Sequence, residues 1–365
     1  MARYLLRPPT AAAAAAAAAS SHRRNGTTSP RGPVLGLRAL ASRAGKARPV
    51  MAVASEQPAA RGKCPKVAAP TTGPIPAAEL LGVIQDAARA GAEVIMEAVN
   101  KPRNIHYKGV ADLVTDTDKL SESVILEVVR KTFPDHLILG EEVFFIGGSN
   151  AVILPPLDGT TNFAHGYPSF SVSIGVLFRG KPAASTVVEF CGGPMCWSTR
   201  TVSASSGIIF GGGAYCNGQK IHVSKTDKVE QSLLVTGFGY EHDDAWVTNI
   251  NLFKEYTDIS RGVRRLGSAA ADMSHVALGI TEAYWEYRLK PWDMAAGVLI
   301  VEEAGGMVSR MDGGEFTVFD RSVLVSNGVV HDQLLDRIGP ATEDLKKKGI
   351  DFSLWFKPDK YPTDF

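Results

Sequence analysis

The sequence predicts an α/β fold, a layered α/β/α/β/α sandwich, on three observations. Amphipathic helical stripes open the ordered part of the chain. A block of alternating strands joined by tight turns fills residues 171–221. Further strands then alternate with helices to the end of the chain. Helix layers stacked on mostly antiparallel sheet bury both kinds of apolar face.

Each element has its own signal. From Ala77 to Asn100, Leu80, Ile84, Ala87, Gly91, Val94 and Ala98 recur at helical spacing, and Pro76 suits the helix start. Thr117 to Phe133 reads as a second helix with Leu120, Val124, Ile125 and Val128 on one face. Leu137-Ile138-Leu139 is a short buried strand that delivers Gly140-Glu141-Glu142 at its end. Ser171–Phe178 alternates, Arg179-Gly180-Lys181 turns it into Ser185–Phe190, and Cys196–Thr199 and Ala214–Ile221 continue the meander. Asn217-Gly218 is the strongest short hairpin signal in the chain. Leu233–Phe238 is a strand and Asp244–Glu255 a helix. Gly267-Ser268 caps a helix through Leu278. Glu282–Tyr287 is a strand before a helix from Asp293 to Ala304, which Gly305-Gly306 ends. Two strands and a C-terminal helix follow.

With 365 residues the chain can hold two packed lobes or one large domain. The net charge of +1 argues against a polyanionic partner such as nucleic acid. Of 39 Lys/Arg and 38 Asp/Glu, nine bases but one acid fall in residues 1–60, so the remainder carries a net charge of −7. Residues 1–60 are also rich in Ser and Thr and contain the run Ala11–Ala19. Basic and acid-poor is the composition of an organelle transit peptide. Nine alanines are too few to span a bilayer, and no membrane partner is expected. The expectation is import into the chloroplast stroma with cleavage near Val50–Ala54; a mitochondrial address and a plain low-complexity tail are the rivals. Residues 61–76 read as a linker, 77–340 as the catalytic domain and 341–365 as a C-terminal tail. Cys64, Cys191, Cys196 and Cys216 have no zinc spacing. Buried reduced thiols are expected, with a redox-regulated pair as the alternative.

Four acidic segments sit at element ends. They are Asp112-Leu113-Val114-Thr115-Asp116-Thr117-Asp118, Glu141-Glu142, Asp158-Gly159-Thr160, and Glu286 with Trp292-Asp293. Any one has a plain structural reading: Asp116 or Asp118 as a helix cap, Glu141 and Glu142 as solvated charges, Asp293 as an N-cap, Asp-Gly-Thr as a surface turn. Together they would repel one another unless cations neutralised them. Oxygen donors without His or Cys select Mg²⁺ or Mn²⁺. A sharp Asp-Gly-Thr turn opening a helix adds backbone N–H groups for an anion. Metal ions beside an anion site suit phosphoryl transfer to water.

In this order the segments Asp112–Asp118, Gly140-Glu141-Glu142, Leu157-Asp158-Gly159-Thr160-Thr161-Asn162-Phe163 and Trp292-Asp293-Met294-Ala295-Ala296-Gly297 resemble the inositol monophosphatases, over about residues 77–340. The resemblance implies the sandwich of the inositol monophosphatase and fructose-1,6-bisphosphatase type. It implies that Glu141 and the Leu157 carbonyl ligate one Mg²⁺, and Asp158 and Asp293 a second. Thr160 and Asp118 would activate the attacking water. Gly159 and Thr160 amides would hold the phosphate, and Gly267, Ser268, Ala269 and Glu286 would line the ring. The implied activity is an inositol-phosphate phosphatase acting on myo-inositol 1-phosphate or a related small phosphomonoester. Histidinol phosphate, fructose 1,6-bisphosphate or a nucleotide 3′-phosphate are substrate alternatives, the last disfavoured by Ser268-Ala269-Ala270. The resemblance leaves a homodimer open.

The chain departs from the family in two places. Pro155 stands where the family has an Asp that bridges both metals, and the Trp expected before it is absent from the apolar stretch Val143–Ile153. Gly207–Gly213 replaces a shorter turn. Both departures fall where an exon junction can be misread. A proline has no side-chain oxygen, so the chain as written is expected to have impaired activity. A catalytically silent binding or regulatory protein that keeps the fold is the alternative. Asp116 is the nearest spare carboxylate.

Overall fold

A computed structural model describes residues 65–365, apart from 110–111, 142–143, 146–149, 155–156, 193–197, 206–211 and 360. The transit segment, Cys64, Glu142, Pro155, Cys196 and most of the Gly207–Gly213 departure therefore lie outside the described residues.

The described chain starts with helix Ala77–Ala98 (α1), a hairpin of Ile105–Tyr107 (β1) and Leu113–Thr115 (β2), and helix Asp116–Thr132 (α2). Eight strands form the first sheet. They are Leu137–Gly140 (β3), Phe144–Phe145 (β4), Asn150–Leu154 (β5), Phe170–Phe178 (β6), Lys181–Cys191 (β7), Ser198–Ser205 (β8), Gly213–Cys216 (β9) and Gln219–Lys220 (β10). A short helix, Thr160–His165 (α3), joins β5 to β6. The second sheet holds Leu233–Thr236 (β11), Gly262–Arg264 (β12), Ala283–Tyr287 (β13), Met307–Ser309 (β14) and Ser322–Ser326 (β15). Helices Asp244–Ile259 (α4), Ala269–Ala277 (α5), Pro291–Glu303 (α6) and His331–Lys347 (α7) complete it.

Three buried clusters make this five layers. Leu80, Ile84, Ile95, Ile125 and Val129 pack α1 and α2 on one face of the first sheet. Met273, Val298, Leu299 and Ile300 fill the space between the sheets from α5 and α6. Leu252, Tyr256, Leu334 and Ile338 seal the outer face of the second sheet with α4 and α7. The first sheet is antiparallel except for β3–β5, but β11 pairs in parallel with both β12 and β13. The second sheet is thus mixed, because helices rather than hairpins connect those strands. Among the described residues, no helix is long and apolar enough to cross a membrane.

Several elements differ from expectation. On α1 the buried stripe continues through Ile95 and Val99 rather than Val94 and Ala98, the drift expected of a 3.6-residue period. On α2 the buried face is Asp118, Ser121, Glu122, Ile125, Leu126 and Val129, and Leu120 is exposed. The cause is a close crossing with α1. Ser121 Oγ donates to the Gly91 carbonyl, and a Cβ on Gly91 would lie 2.5 Å from Ile125 Cδ1. The polar Ser121 is therefore drawn inside, and the whole face rotates. Asn217 and Gly218 both have positive φ, as the hairpin signal requires. Cys191 and Cys216 are half-buried, not buried, and each is the last residue of its strand.

The chain ends are more structured than linker and tail imply. Val67 and Ala68 donate their N–H groups to the Glu302 carboxylate at 2.7 and 2.8 Å. The boundary at 340 falls inside α7, and Tyr361 beyond it is buried.

Candidate active site

Four element ends converge on one cleft of about 220 Å³. Asp112, Glu141, Leu157, Asp158, Gly159, Thr160, Gly267, Ser268, Ala269, Glu286 and Asp293 all line it. Asp112 and Asp293, 181 positions apart in sequence, thus share one site. Strand β3 ends at Gly140 and presents Glu141. Gly159, at φ 90°, makes the sharp turn into α3. A Cβ there would lie 2.9 Å from the Ser169 carbonyl, so only glycine fits this turn. Strand β13 carries Glu286, and α5 and α6 point their first turns at the same space.

Asp118 is not in the cleft lining itself and touches it through Thr160. Thr160 Oγ1 lies 2.8 Å from Asp118 Oδ1 and 3.1 Å from the Leu157 carbonyl. The other carboxylate oxygen, Oδ2, accepts from the Thr115 N–H at 2.8 Å and from the Thr115 hydroxyl. One oxygen of Asp118 thus closes the helix cap and the other meets Thr160. Burial raises the Asp118 pKa, against the lowering pull of the Thr115 and Thr160 bonds. Asp116 is exposed, held by Asn104 and His106 at 2.9 Å each, and does not line the cleft.

Asp158 is half-buried at the turn. Its Oδ2 accepts from Ser268 Oγ and the Ala270 N–H, both at 2.8 Å. Ser268 is the first residue before α5, yet its hydroxyl makes no helix cap. The expected cap is overridden because Asp158, 110 positions away, takes that proton. Burial pushes Asp158 up to about 6, and the nearby Glu141 charge adds to the rise. Asp293 is not an N-cap. It is the third residue of α6, behind Lys290 and Pro291, and its Oδ2 accepts from the Lys290 N–H at 2.9 Å. Burial, then the Asp158 charge, raise its pKa well above the ordinary Asp value.

Glu286 is pushed up to about 7, chiefly by burial. The Tyr284 hydroxyl donates to its Oε2. Gly237 follows the neighbouring strand β11 beside it, and a Cβ there would lie 1.9 Å from that oxygen. Gly237→Ala should therefore displace Glu286 and destabilise the fold by roughly 1–3 kcal/mol, the usual cost of overpacking. Thermal unfolding measures it; a melting temperature equal to the parent would disprove the contact.

Sequence reasoning missed Asp272, Lys108 and Tyr284. Asp272 is 1 % exposed on α5, and neither carboxylate oxygen has a partner among the described residues. Burial, then the charges of Asp158 and Glu286, raise its pKa well above normal. A lone Asp inside the apolar run Ala269–Met273 was the available signal. Lys108 Nζ sits 3.0 Å from Glu141 Oε1, so a cation already stands against that carboxylate. Nothing in the spacing of Lys108 announced this.

Do these groups fit metal ions? Among the described residues, no three acidic, histidine or cysteine side chains close around a single point. Mg²⁺ does not need three. It keeps several waters and is held by one or two carboxylates plus phosphate oxygens. The donors are all hard oxygens, two oxygens of Asp272 are orphaned, and the carboxylates raise one another's pKa. Lys108, Arg265 and Lys290 offset part of this negative charge, and divalent cations fit the remainder.

The comparisons agree with this geometry. The chain is 73% identical over 303 residues to "Phosphatase IMPL1, chloroplastic" of Arabidopsis thaliana, covering 82% of this chain and 81% of that one. It is 41% identical over 249 residues to "Inositol-1-monophosphatase" of Synechocystis sp., covering 67% and 83%. The solved inositol monophosphatase of Anabaena (Nostoc) sp. superposes with a TM-score of 0.62 at 35% identity, covering 73% of this chain and 96% of that one. The profile of the inositol monophosphatase family matches residues 77–346, which is most of the described chain. By its fold, its convergent carboxylates and these matches, the chain belongs to the inositol monophosphatase family.

Proposed function

We propose that this phosphatase of the inositol monophosphatase family hydrolyses a small polyol phosphomonoester, with myo-inositol 1-phosphate as first candidate, using Mg²⁺. The observation that carries the reading is the Thr160–Asp118 hydrogen bond at the edge of a carboxylate cleft. Glu141 and the Leu157 carbonyl would hold one ion, and Asp158 and Asp293 the other. When bound, such ions lower the pKa of water and offset charge on phosphoryl oxygens. The rest is done by the chain. Asp118 Oδ1 accepts the hydrogen bond of the Thr160 hydroxyl, which orients the Thr160 oxygen to accept one from the attacking water. Backbone amides of Gly159 and Thr160, at the turn into α3, would seat the phosphate. Glu286, holding a proton near neutral pH, can donate to a ring hydroxyl. Gly267 and Ala269 would supply backbone contacts to that ring. Ser268 would instead steady Asp158. The chloroplastic relative and the basic N-terminal composition support a plastid location.

Thr160→Val keeps the shape of this side chain but removes the hydroxyl. It should lower kcat at least 100-fold with little change in KM, since general-base chemistry contributes about 10²–10⁴. Steady-state kinetics would show it; an unchanged kcat removes Thr160 from the mechanism.

Pro155 favours one second reading, a silent binding protein. Phosphate release from myo-inositol 1-phosphate, with and without Mg²⁺, tests both. Metal-dependent release by the chain as written supports the enzyme. Release only after Pro155→Asp supports the silent form. No release from either eliminates the phosphatase reading.

A further inference from the structure

The family match ends at residue 346, but the chain continues to 365 and returns to the cleft. Trp355 lines the cleft beside Arg288, Lys290 and Trp292. The segment that carries it is fastened on both sides. Upstream, Arg321 Nε donates to the Ser353 carbonyl at 2.8 Å, and its guanidinium pairs with Asp351 at 2.9 Å. Downstream, Tyr361 is buried, and Asp364 pairs with Arg179 at 2.7 Å and donates its N–H to the Arg179 carbonyl at 3.0 Å. Between them Trp355 donates its backbone N–H to the Phe319 carbonyl at 3.1 Å.

Arg321 ties this strap to the cleft wall. Its guanidinium stacks on the Trp355 ring, 4.7 Å from the centroid. Its carbonyl accepts from the Arg288 N–H at 2.6 Å. Arg288 itself has φ 69°, and Phe356 has φ 54°, both in the left-handed region that costs a non-glycine residue about 1 kcal/mol or more. Phe356 is held there by an edge-on contact with Trp292, centroids 4.9 Å apart. One strained residue lies in the cleft lining and the other is next to Trp355 on the strap. Strain of this kind persists where the surroundings over-determine a geometry, and here the geometry sets the Trp355 ring against the cleft.

We infer that the C-terminal strap is part of the substrate site, and that Trp355 is a specificity-determining residue. Its ring walls the cleft on the Lys290–Trp292 side, so that it contacts the polyol portion of a phosphomonoester and narrows the space for larger esters. The inference rests on the proposed function, because it takes the phosphate to sit at the Gly159–Thr160 turn.

Calorimetric titration with Mg²⁺ separates the two. Inorganic phosphate probes the anion seat, and myo-inositol 1-phosphate probes seat and wall together. The full-length protein, Trp355→Ala and Trp355→Phe are compared, with melting temperatures as the folding control. Expected is unchanged phosphate binding in all three. Affinity for myo-inositol 1-phosphate should fall roughly tenfold in Trp355→Ala, as for loss of one aromatic contact, and recover in Trp355→Phe. A bulkier nucleoside 3′-phosphate should bind Trp355→Ala better than the parent. Equal ester-to-phosphate ratios in all three proteins would overturn the role of Trp355 while leaving the phosphatase intact. No phosphate binding by the parent would overturn the anion seat, and with it this inference. Should Trp355→Ala unfold, an unchanged ratio in Trp355→Leu and Arg321→Ala would overturn it equally.

Discussion

Asp158→Asn is expected to abolish turnover while leaving the metal-free protein as stable as the parent or more so. The substitution is nearly isosteric. An Asn oxygen can accept from Ser268 Oγ and the Ala270 N–H as the Asp oxygen does at 2.8 Å. What is lost is one negative charge in a cleft shared with Glu141, Asp272, Glu286 and Asp293. Without a cation that charge is a burden, as the rise of Asp158 to about 6 records. With one, it is a ligand. Loss of a mere supporting partner of a metal ligand costs roughly 10–100-fold, so loss of this ligand should cost at least about 100-fold in kcat. The opposite signs identify the role. Parental activity would show that Asp158 is only a structural carboxylate. A fall in both activity and metal-free melting temperature would show that its hydrogen bonds, not its charge, matter. Stability and activity oppose each other at sites built for charge that arrives with a ligand.

The sequence made the short-range parts of this site legible. Gly159 can be read locally because a turn of φ 90° needs glycine. Asp118 can be read locally because a capping box is set within four residues. The long-range parts were not legible. Ser268 looked like a cap, and only the folded chain reveals that Asp158 claims its hydroxyl. Asp272 carries no motif, and its orphaned oxygens follow from the layering that buries α5 between two sheets. The rotation of α2 depends on Gly91 in another helix, which periodicity within α2 cannot sense. Trp355 lay in what composition reads as a tail, because a strap held by a few contacts has no periodic apolar pattern. The five layers, by contrast, follow from which segments are apolar, and that is written along the chain.

The same buried acids predict an inverted pH profile for metal-free stability. Most proteins lose stability in acid because their carboxylates are held below their normal pKa. Here Asp158 is raised to about 6 and Glu286 to about 7, and Asp272 and Asp293 well above normal, in each case first by burial. A raised carboxylate pKa means the folded state keeps a proton that the unfolded chain has released. The unfolded pKa values are near 4. Stability contributed by the protonated forms is thus complete below about pH 4 and is lost as pH rises toward about 7. For Glu286, moving from 4.5 to about 7 corresponds to roughly 3 kcal/mol. At about 2 °C per kcal/mol for a chain of this size, the metal-free melting temperature should fall on the order of 5 °C or more between pH 5 and pH 7.5. Mg²⁺ reverses the sign. A bound cation favours the ionised carboxylates, so its stabilisation should be small at pH 5 and large at pH 7.5. Scanning calorimetry at the two pH values, with chelator and with millimolar Mg²⁺, measures all four states. A flat metal-free profile would mean that these carboxylates are not desolvated together. A Mg²⁺ shift of equal size at both pH values would place the ion away from them.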